Sequence, residues 1–356
     1  MGVLQGPRGP IRFERDDLGT PTLFVRDEAE SAWARGHVHA TDRLVQMHLL
    51  HALAHGRAME LLGDRRFARR VDRAVRTLDL QAGLDEAVAA MDPALRGWIE
   101  TYCQGVRAGA ADRGRPLPLR LLGVAPVRWS VRDVLLVYRV LSWFGLTSTT
   151  QVAKLAVAEL LAEGVDPSAL EAFLGPRSAH LDLDAVRAVD WHADEALVGM
   201  PVLVGGSNGF AIAGDRTVNG GAIVLAEYHM EIGRLPAGLY PVDIRYDDGR
   251  YLCGMSAPGM PYVLAGRTRD TAWAYTFGRA DNVDVTVETV QGDRVRRGRR
   301  WLDLRVRHEE VRIRGGGRVH WTFRNLPDGT AVLGPGDGAH PGLRWRGLDA
   351  ADADHQ

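Results

Sequence analysis

Val202-Leu203-Val204-Gly205-Gly206-Ser207-Asn208-Gly209-Phe210-Ala211-Ile212-Ala213 divides the 356-residue chain into two textures. Ahead of it, apolar residues recur at helical spacing from Glu28 to about Leu62, ending at Gly63, and again over 84–112, 131–146 and 150–163. Nearer the start, Ile11-Arg12-Phe13-Glu14-Arg15 alternates apolar with charged residues, Asp17-Leu18-Gly19-Thr20-Pro21 makes a turn, and Thr22-Leu23-Phe24-Val25 follows, which predicts two short strands. Beyond Gly206, short β-rich runs take over at 210–213, 222–225, 242–245 and 272–275, separated by turns such as Asn219-Gly220-Gly221 and Asp247-Asp248-Gly249. Runs at 282–290, 302–307 and 318–323 continue the sheet pattern. The fold class expected is α+β: a mainly helical region with N-terminal strands over 1–180, a spacer over 181–206, and a sheet region over 207–356.

The length exceeds what one hydrophobic core usually serves, so two structural regions are expected. Lys plus Arg is 44 against 45 for Asp plus Glu, a balance too even to recruit nucleic acid or an anionic membrane, and the partner expected is a small molecule. The arginines of 294–300 read as a solvated hairpin tip, since no aromatic stacking platform is interleaved with them. Lys154 is the single lysine, and the bias toward arginine is read as a property of the coding sequence without functional weight. Cys103 and Cys253 are too few for a disulfide framework or a thiolate metal site. No run is long and uncharged enough to span a bilayer and the first residues lack an apolar signal segment, so the chain as written is expected to be cytoplasmic.

Chemistry concentrates at Ser207. A serine hydroxyl is a weak nucleophile at neutral pH and needs a base within hydrogen-bond reach. If Ser207 becomes a chain terminus, it carries that base itself, because an α-amino group titrates at roughly 7.7–8.0 and is partly neutral near pH 7. Gly206 allows the backbone an open conformation in which the Ser207 oxygen attacks the preceding carbonyl. The rival reading is the G-x-S-x-G nucleophile elbow, which Gly205-Gly206-Ser207-Asn208-Gly209 also satisfies. That motif requires a strand before and a helix after, whereas a strand and a hairpin turn follow here. His48, His51 and His55 share a helix face, but with no carboxylate beside them they read as packing and surface histidines.

Five segments in order give the chain a resemblance to the penicillin acylase (penicillin amidase) family of N-terminal nucleophile hydrolases. They are 11–21; Gly36-His37-Val38-His39-Ala40-Thr41-Asp42-Arg43 with Gln46, Met47 and 56–63; Gly206-Ser207-Asn208; Tyr228-His229-Met230; and Trp273-Ala274-Tyr275-Thr276-Phe277-Gly278-Arg279-Ala280-Asp281-Asn282-Val283-Asp284. The resemblance implies a four-layer αββα sandwich, incomplete at its C-terminus, and an amidohydrolase that cuts itself at Gly206-Ser207 into an α/β heterodimer. It implies Ser207 as nucleophile and base, His229 as its hydrogen-bond partner, and the Phe277 N–H as an oxyanion donor of the kind worth roughly 3–4 kcal/mol. Met230, Trp143 and Phe144 would line the acyl pocket, for substrates such as acylated β-lactams, acyl-homoserine lactones or lipopeptides.

The chemistry so implied needs no cofactor, but Asp281, the Val283 carbonyl and Asp284 match positions that hold a structural calcium ion in some members. The family's helical carboxylate ligand aligns with Gln151, and its second oxyanion donor, an asparagine, would lie past Gln356. A separately encoded C-terminal part is therefore expected as a further partner, and the competing reading is a fragment that depends on it for turnover. Otherwise the Asp281/Asp284 pair simply caps a turn.

Overall fold

The computed structural model describes residues 1–125, 127–174, 182–191, 206–230, 237–276, 278 and 281–349. It begins with strands β1 (Gly2–Gly6), β2 (Gly9–Arg15) and β3 (Pro21–Val25). Helices follow: α1 (Glu28–Ala54), α2 (Ala58–Leu62), α3 (Arg66–Leu78), α4 (Leu84–Ala90), α5 (Pro93–Arg113), α6 (Leu117–Leu121), α7 (Val131–Ser142), α8 (Ser148–Ala162), α9 (Pro167–Leu174) and α10 (Leu183–Arg187). The remainder is β4 (Ser207–Ile212), β5 (Ile223–Tyr228), β6 (Tyr240–Tyr246), β7 (Tyr251–Ser256), β8 (Val263–Arg267), β9 (Ala272–Trp273), β10 (Val283–Gln291), β11 (Arg294–Arg297), β12 (Arg300–Asp303), β13 (Arg305–Arg312), β14 (Arg318–Asn325), β15 (Ala331–Val332) and β16 (Gly338–Trp345). The fold is α+β, as the change of texture predicts.

The compact units do not follow that change of texture. One comprises Met1–His51, Asp85–Tyr138 and Val204–Gly278; the other comprises Ala52–Leu84, Arg139–Leu203 and Arg279–Gln356. The expected boundaries at 180 and 206 mark where local propensity changes, whereas packing joins early residues to late ones. In the first unit β3 pairs in parallel with β6, and in the second α8 buries Leu155 against Val285 and Val287 of β10.

The first unit holds a seven-stranded sheet in the order β1-β2-β3-β6-β7-β8-β9 and the separate hairpin β4-β5. Alternation in β2 and β3 sends Ile11, Leu23 and Val25 into a core with Val242 and Ile244, covered by Trp33, Ala34 and Val38 of α1. Helix α1 then meets α5 backbone to backbone. A Cβ on Gly36 would lie 2.2 Å from the Tyr102 carbonyl oxygen, one on Gly105 1.9 Å from that of Trp33, and one on Gly109 2.3 Å from that of His37. Only glycine fits at these points, and its cost to helix propensity is offset by the close approach.

Buried His39 ties these layers together. Gly259 N–H donates to the Tyr102 hydroxyl (3.0 Å), the hydroxyl to His39 Nδ1 (2.9 Å), His39 Nε2–H to Ser256 Oγ (2.9 Å), and Ser256 in turn to the Tyr240 carbonyl (2.9 Å). The chain of donors leaves room for one imidazole proton only. Burial, reinforced by Arg35 and Arg43, pushes its pKa from 6.5 down to about 3.

The second unit is built on the sheet β12-β11-β10-β16-β15-β14-β13. Helix α3 lies outside the helical stretches expected from the sequence, although Ala68, Val71, Ala74, Val75 and Leu78 recur at helical spacing and are buried, with Arg66, Arg69, Arg70, Arg73 and Arg76 on the other side. The arginines of 294–300 lie mostly within the paired strands β11 and β12, where Arg297 binds buried Glu288; only the turn between them is a tip. The long first helix expected to Gly63 ends at Ala54, since Gly56 turns the chain with φ of 61°, and α2 restarts with Asp72 accepting from Ala58 N–H (2.6 Å) and Met59 N–H (2.8 Å). Among the described residues no helix is long and apolar enough to cross a membrane.

Two outcomes follow from the first unit. Gly105→Ala should destabilise the protein by at least about 3 kcal/mol in denaturant titration, because the new methyl meets a carbonyl that cannot move aside. His39 has a depressed folded pKa, so its contribution to stability is complete above pH 6.5 and is lost as the pH falls toward about 3. The urea midpoint should drop over that interval, and the drop should be shallower in His39→Gln.

Candidate active site

Ser207 opens β4, and antiparallel pairing sets it opposite Tyr228, Asn208 opposite Glu227 and Gly209 opposite Ala226. This register carries the ladder one step beyond the strands: the His229 backbone N–H donates to the Gly206 carbonyl oxygen at 2.9 Å. The carbonyl that precedes the serine is thus already held by a main-chain donor. Register is set at the other end of the hairpin, where Thr217 Oγ1 donates to the carbonyls of Gly214 (2.9 Å) and Gly221 (2.8 Å) and Asn219 Oδ1 accepts from Gly221 N–H (3.2 Å).

The Ser207 hydroxyl donates to Thr276 Oγ1 (2.9 Å), and that hydroxyl donates back to the Ser207 carbonyl (2.7 Å). Thr276 was not singled out in the sequence, although it stands inside the Trp273–Asp284 segment; only the fold brings it to the serine. His229 was expected to bond the nucleophile through its ring. Instead Nε2 receives the Asn208 amide (3.1 Å), while Nδ1 lies 3.3 Å from where a Cβ on Gly206 would be. The physical reason is the alternation of the strand: Asn208 and Glu227 share a face with the His229 ring. The Asn208 amide and the adjoining imidazole hold the Glu227 carboxyl below its ordinary value.

Of the residues expected to line a pocket, Met230 is about half exposed, with its side chain laid over Gly238 in the first unit. Arg43, at the kink of α1, and Gln46 both donate to the Ala237 carbonyl just beyond, at 3.1 and 3.2 Å. Trp143 and Phe144 belong to the second unit, on a π-helical turn (Trp143–Thr147) joining α7 to α8. Trp143 is fully buried, edge-on to Trp345 at 5.3 Å, so it is a core residue there and not a surface for a ligand; Phe144 is partly exposed. Phe277 lies outside the described residues.

The oxygens matched to a calcium site carry protein cations. Lys154 Nζ donates to Asp281 Oδ1 at 2.5 Å and to the Val283 carbonyl, while Arg346 faces Asp284 Oδ2 at 3.5 Å. A divalent ion and an ammonium group cannot share one pair of oxygens, so these residues do not fit the metal. The histidines of α1 differ from expectation in one respect: His51 does have a carboxylate, Asp133 Oδ1 at 3.1 Å, supplied by α7. His48 bonds main chain, its Nδ1 to the Leu44 carbonyl (3.1 Å) and its Nε2 to Val127 N–H (2.9 Å).

The family model for penicillin amidase matches residues 10–356. An acyl-homoserine lactone acylase QuiP of Pseudomonas aeruginosa is 29% identical over 335 residues, covering 88% of this chain and 39% of that protein. Penicillin acylase 2 proenzyme of Pseudomonas sp. strain SE83 is 28% identical, covering 99% and 47%. Among solved structures, a thermostable penicillin G acylase from Alcaligenes faecalis is similar with a TM-score of 0.39 and 20% identity, over 51% of this chain and 96% of that one. The chain spans less than half the length of these two curated relatives. A match along nearly the whole sequence means that the chain belongs to the penicillin amidase family.

Proposed function

We propose that this chain is the precursor of an acylase that cuts itself between Gly206 and Ser207 and then hydrolyses the amide bond of N-acylated small molecules. The observation that supports it most is the hydrogen bond from His229 N–H to the Gly206 carbonyl, beside a serine hydroxyl oriented by Thr276. In the first step Ser207 Oγ adds to the Gly206 carbonyl carbon, and the negative charge that develops on the carbonyl oxygen is met by a donor already in place. Collapse breaks the C–N bond and leaves an ester between Gly206 and Ser207 Oγ, with the proton moving to the Ser207 nitrogen. Water hydrolyses that ester, giving a Gly206 carboxylate and a free amine on Ser207.

The amine then acts as base for the same hydroxyl. Ser207 attacks the substrate amide, the amine product departs with the proton, and water releases the acid from the acyl-enzyme. Relatives named for acyl-homoserine lactones and for penicillin favour apolar N-acyl groups as the substrate class. Met230, exposed next to the hairpin, is the apolar contact for such a group.

A second reading is favoured by the hairpin surface: Phe210 is 51% exposed and Ile223 48%, apolar area that an adjoining sheet would cover. On this reading self-cleavage occurs in the chain alone, while turnover awaits a separately supplied segment.

Mass spectrometry of the purified protein tests the proposal. Two fragments are expected, the second beginning at Ser207, whereas Ser207→Ala should remain a single chain. Cleavage that persists in Ser207→Ala, or an uncut wild type, refutes the processing step. Thr276→Val removes the hydroxyl's orienting partner and should slow fragment formation by about tenfold, the worth of one hydrogen bond. Release of amine from a chromogenic N-acyl amide by the cleaved protein supports the first reading, and cleavage without turnover the second.

A further inference from the structure

The place matched to a metal holds the chain's single lysine. All other basic side chains among the 44 are arginine, yet the residue that reaches the Asp281 carboxylate and the Val283 carbonyl is Lys154. The chemistry explains the exception. An ammonium is a compact point charge with three donors that can be aimed at separate oxygens, as a small cation would be, whereas a guanidinium presents a flat fork suited to one carboxylate. The surroundings favour a single positive charge as well. Gln151, one helical turn before Lys154 on α8, is fully buried and brings an amide where a carboxylate would be needed to balance a second charge. Asp284 faces Arg346 rather than the Lys154 site's oxygens.

The oxygens that Lys154 holds are at a structural junction. Val283 is the first residue of β10, is fully buried, and pairs in register with Trp345 of β16, whose ring packs against Trp143. Helix α8 continues from the π-helical turn that carries Trp143 and Phe144. A cation at this point therefore ties the helical segment to the start of the strand.

We infer that Lys154 is a built-in replacement for a structural calcium ion: its ammonium binds the Asp281 carboxylate and the Val283 carbonyl, and the protein joins α8 to β10 without a metal. The bias toward arginine thus has one functional exception, which composition alone did not disclose.

Thermal unfolding of the full chain in millimolar calcium and in chelator tests this, with calorimetric titration of calcium alongside. The wild type should melt at one temperature in both and show no saturable heat. In chelator at low salt, Lys154→Met should melt about 2 °C below the wild type, and Lys154→Glu, which sets two carboxylates side by side, about 4 °C below, with both deficits narrowing as salt is added. A wild-type melting temperature that rises with calcium, or saturable calcium binding, overturns the inference. Melting of both variants at the wild-type temperature in low salt overturns it equally.

Discussion

Antiparallel pairing of Ser207 with Tyr228 is the constraint from which the chemistry descends. Side chains alternate along a strand, so a shift of one residue would turn the Ser207 hydroxyl to the opposite face and put a different amide against the Gly206 carbonyl. With the observed register, one main-chain donor, His229 N–H, meets the Gly206 carbonyl and one hydroxyl, that of Thr276, meets Ser207 Oγ. Neither contact asks for an unusual side chain. The arrangement around Ser207 comes from where a hairpin starts, and the turn at Thr217–Gly221 decides where that is.

The segment Gly36–Arg43 has a complementary role. Gly36 admits α5, His37 binds Asp112 at 2.8 Å, His39 links helix to sheet, and Asp42 binds Arg15 of β2 at 2.9 Å as well as the Tyr240 hydroxyl. Arg43 breaks the helical geometry of α1, with φ of −127° and ψ of 22°, and from that kink reaches the Ala237 carbonyl. The segment that serves in sequence as a marker of the family resemblance is, in the fold, a set of polar fasteners. It holds the N-terminal hairpin, two helices and β6 in one arrangement, beside the loop that carries Met230.

Much of this was legible from residue order. The α+β class, the first strands, most helices and the hairpin after Ser207 follow from periodicity and turn residues, because local pattern and packing agree there. Elsewhere the reading failed. Helix α3 was passed over although its apolar stripe has helical spacing, the units interleave along the sequence because a parallel pairing joins β3 to β6, and Thr276 reaches Ser207 only through folding. The His229 backbone nitrogen bonds the Gly206 carbonyl while its ring meets Asn208, a division of contacts that no side-chain motif can announce. The composition bias toward arginine says nothing of where the single lysine goes, and only the fold sets Lys154 against Asp281 and the Val283 carbonyl.

The crossing of α1 and α5 has a mechanical meaning of its own. Main chain rests on main chain at Gly36, Gly105 and Gly109, so at these three points no side chain stands between the helices to change rotamer under strain. Softer interfaces absorb a nearby insertion or a bulky neighbour by adjusting torsions; at the three glycines there are no side-chain torsions to adjust. A disturbance arriving there must either be passed on whole to the strands beneath or open the joint altogether, which makes the crossing a rigid axle for its unit.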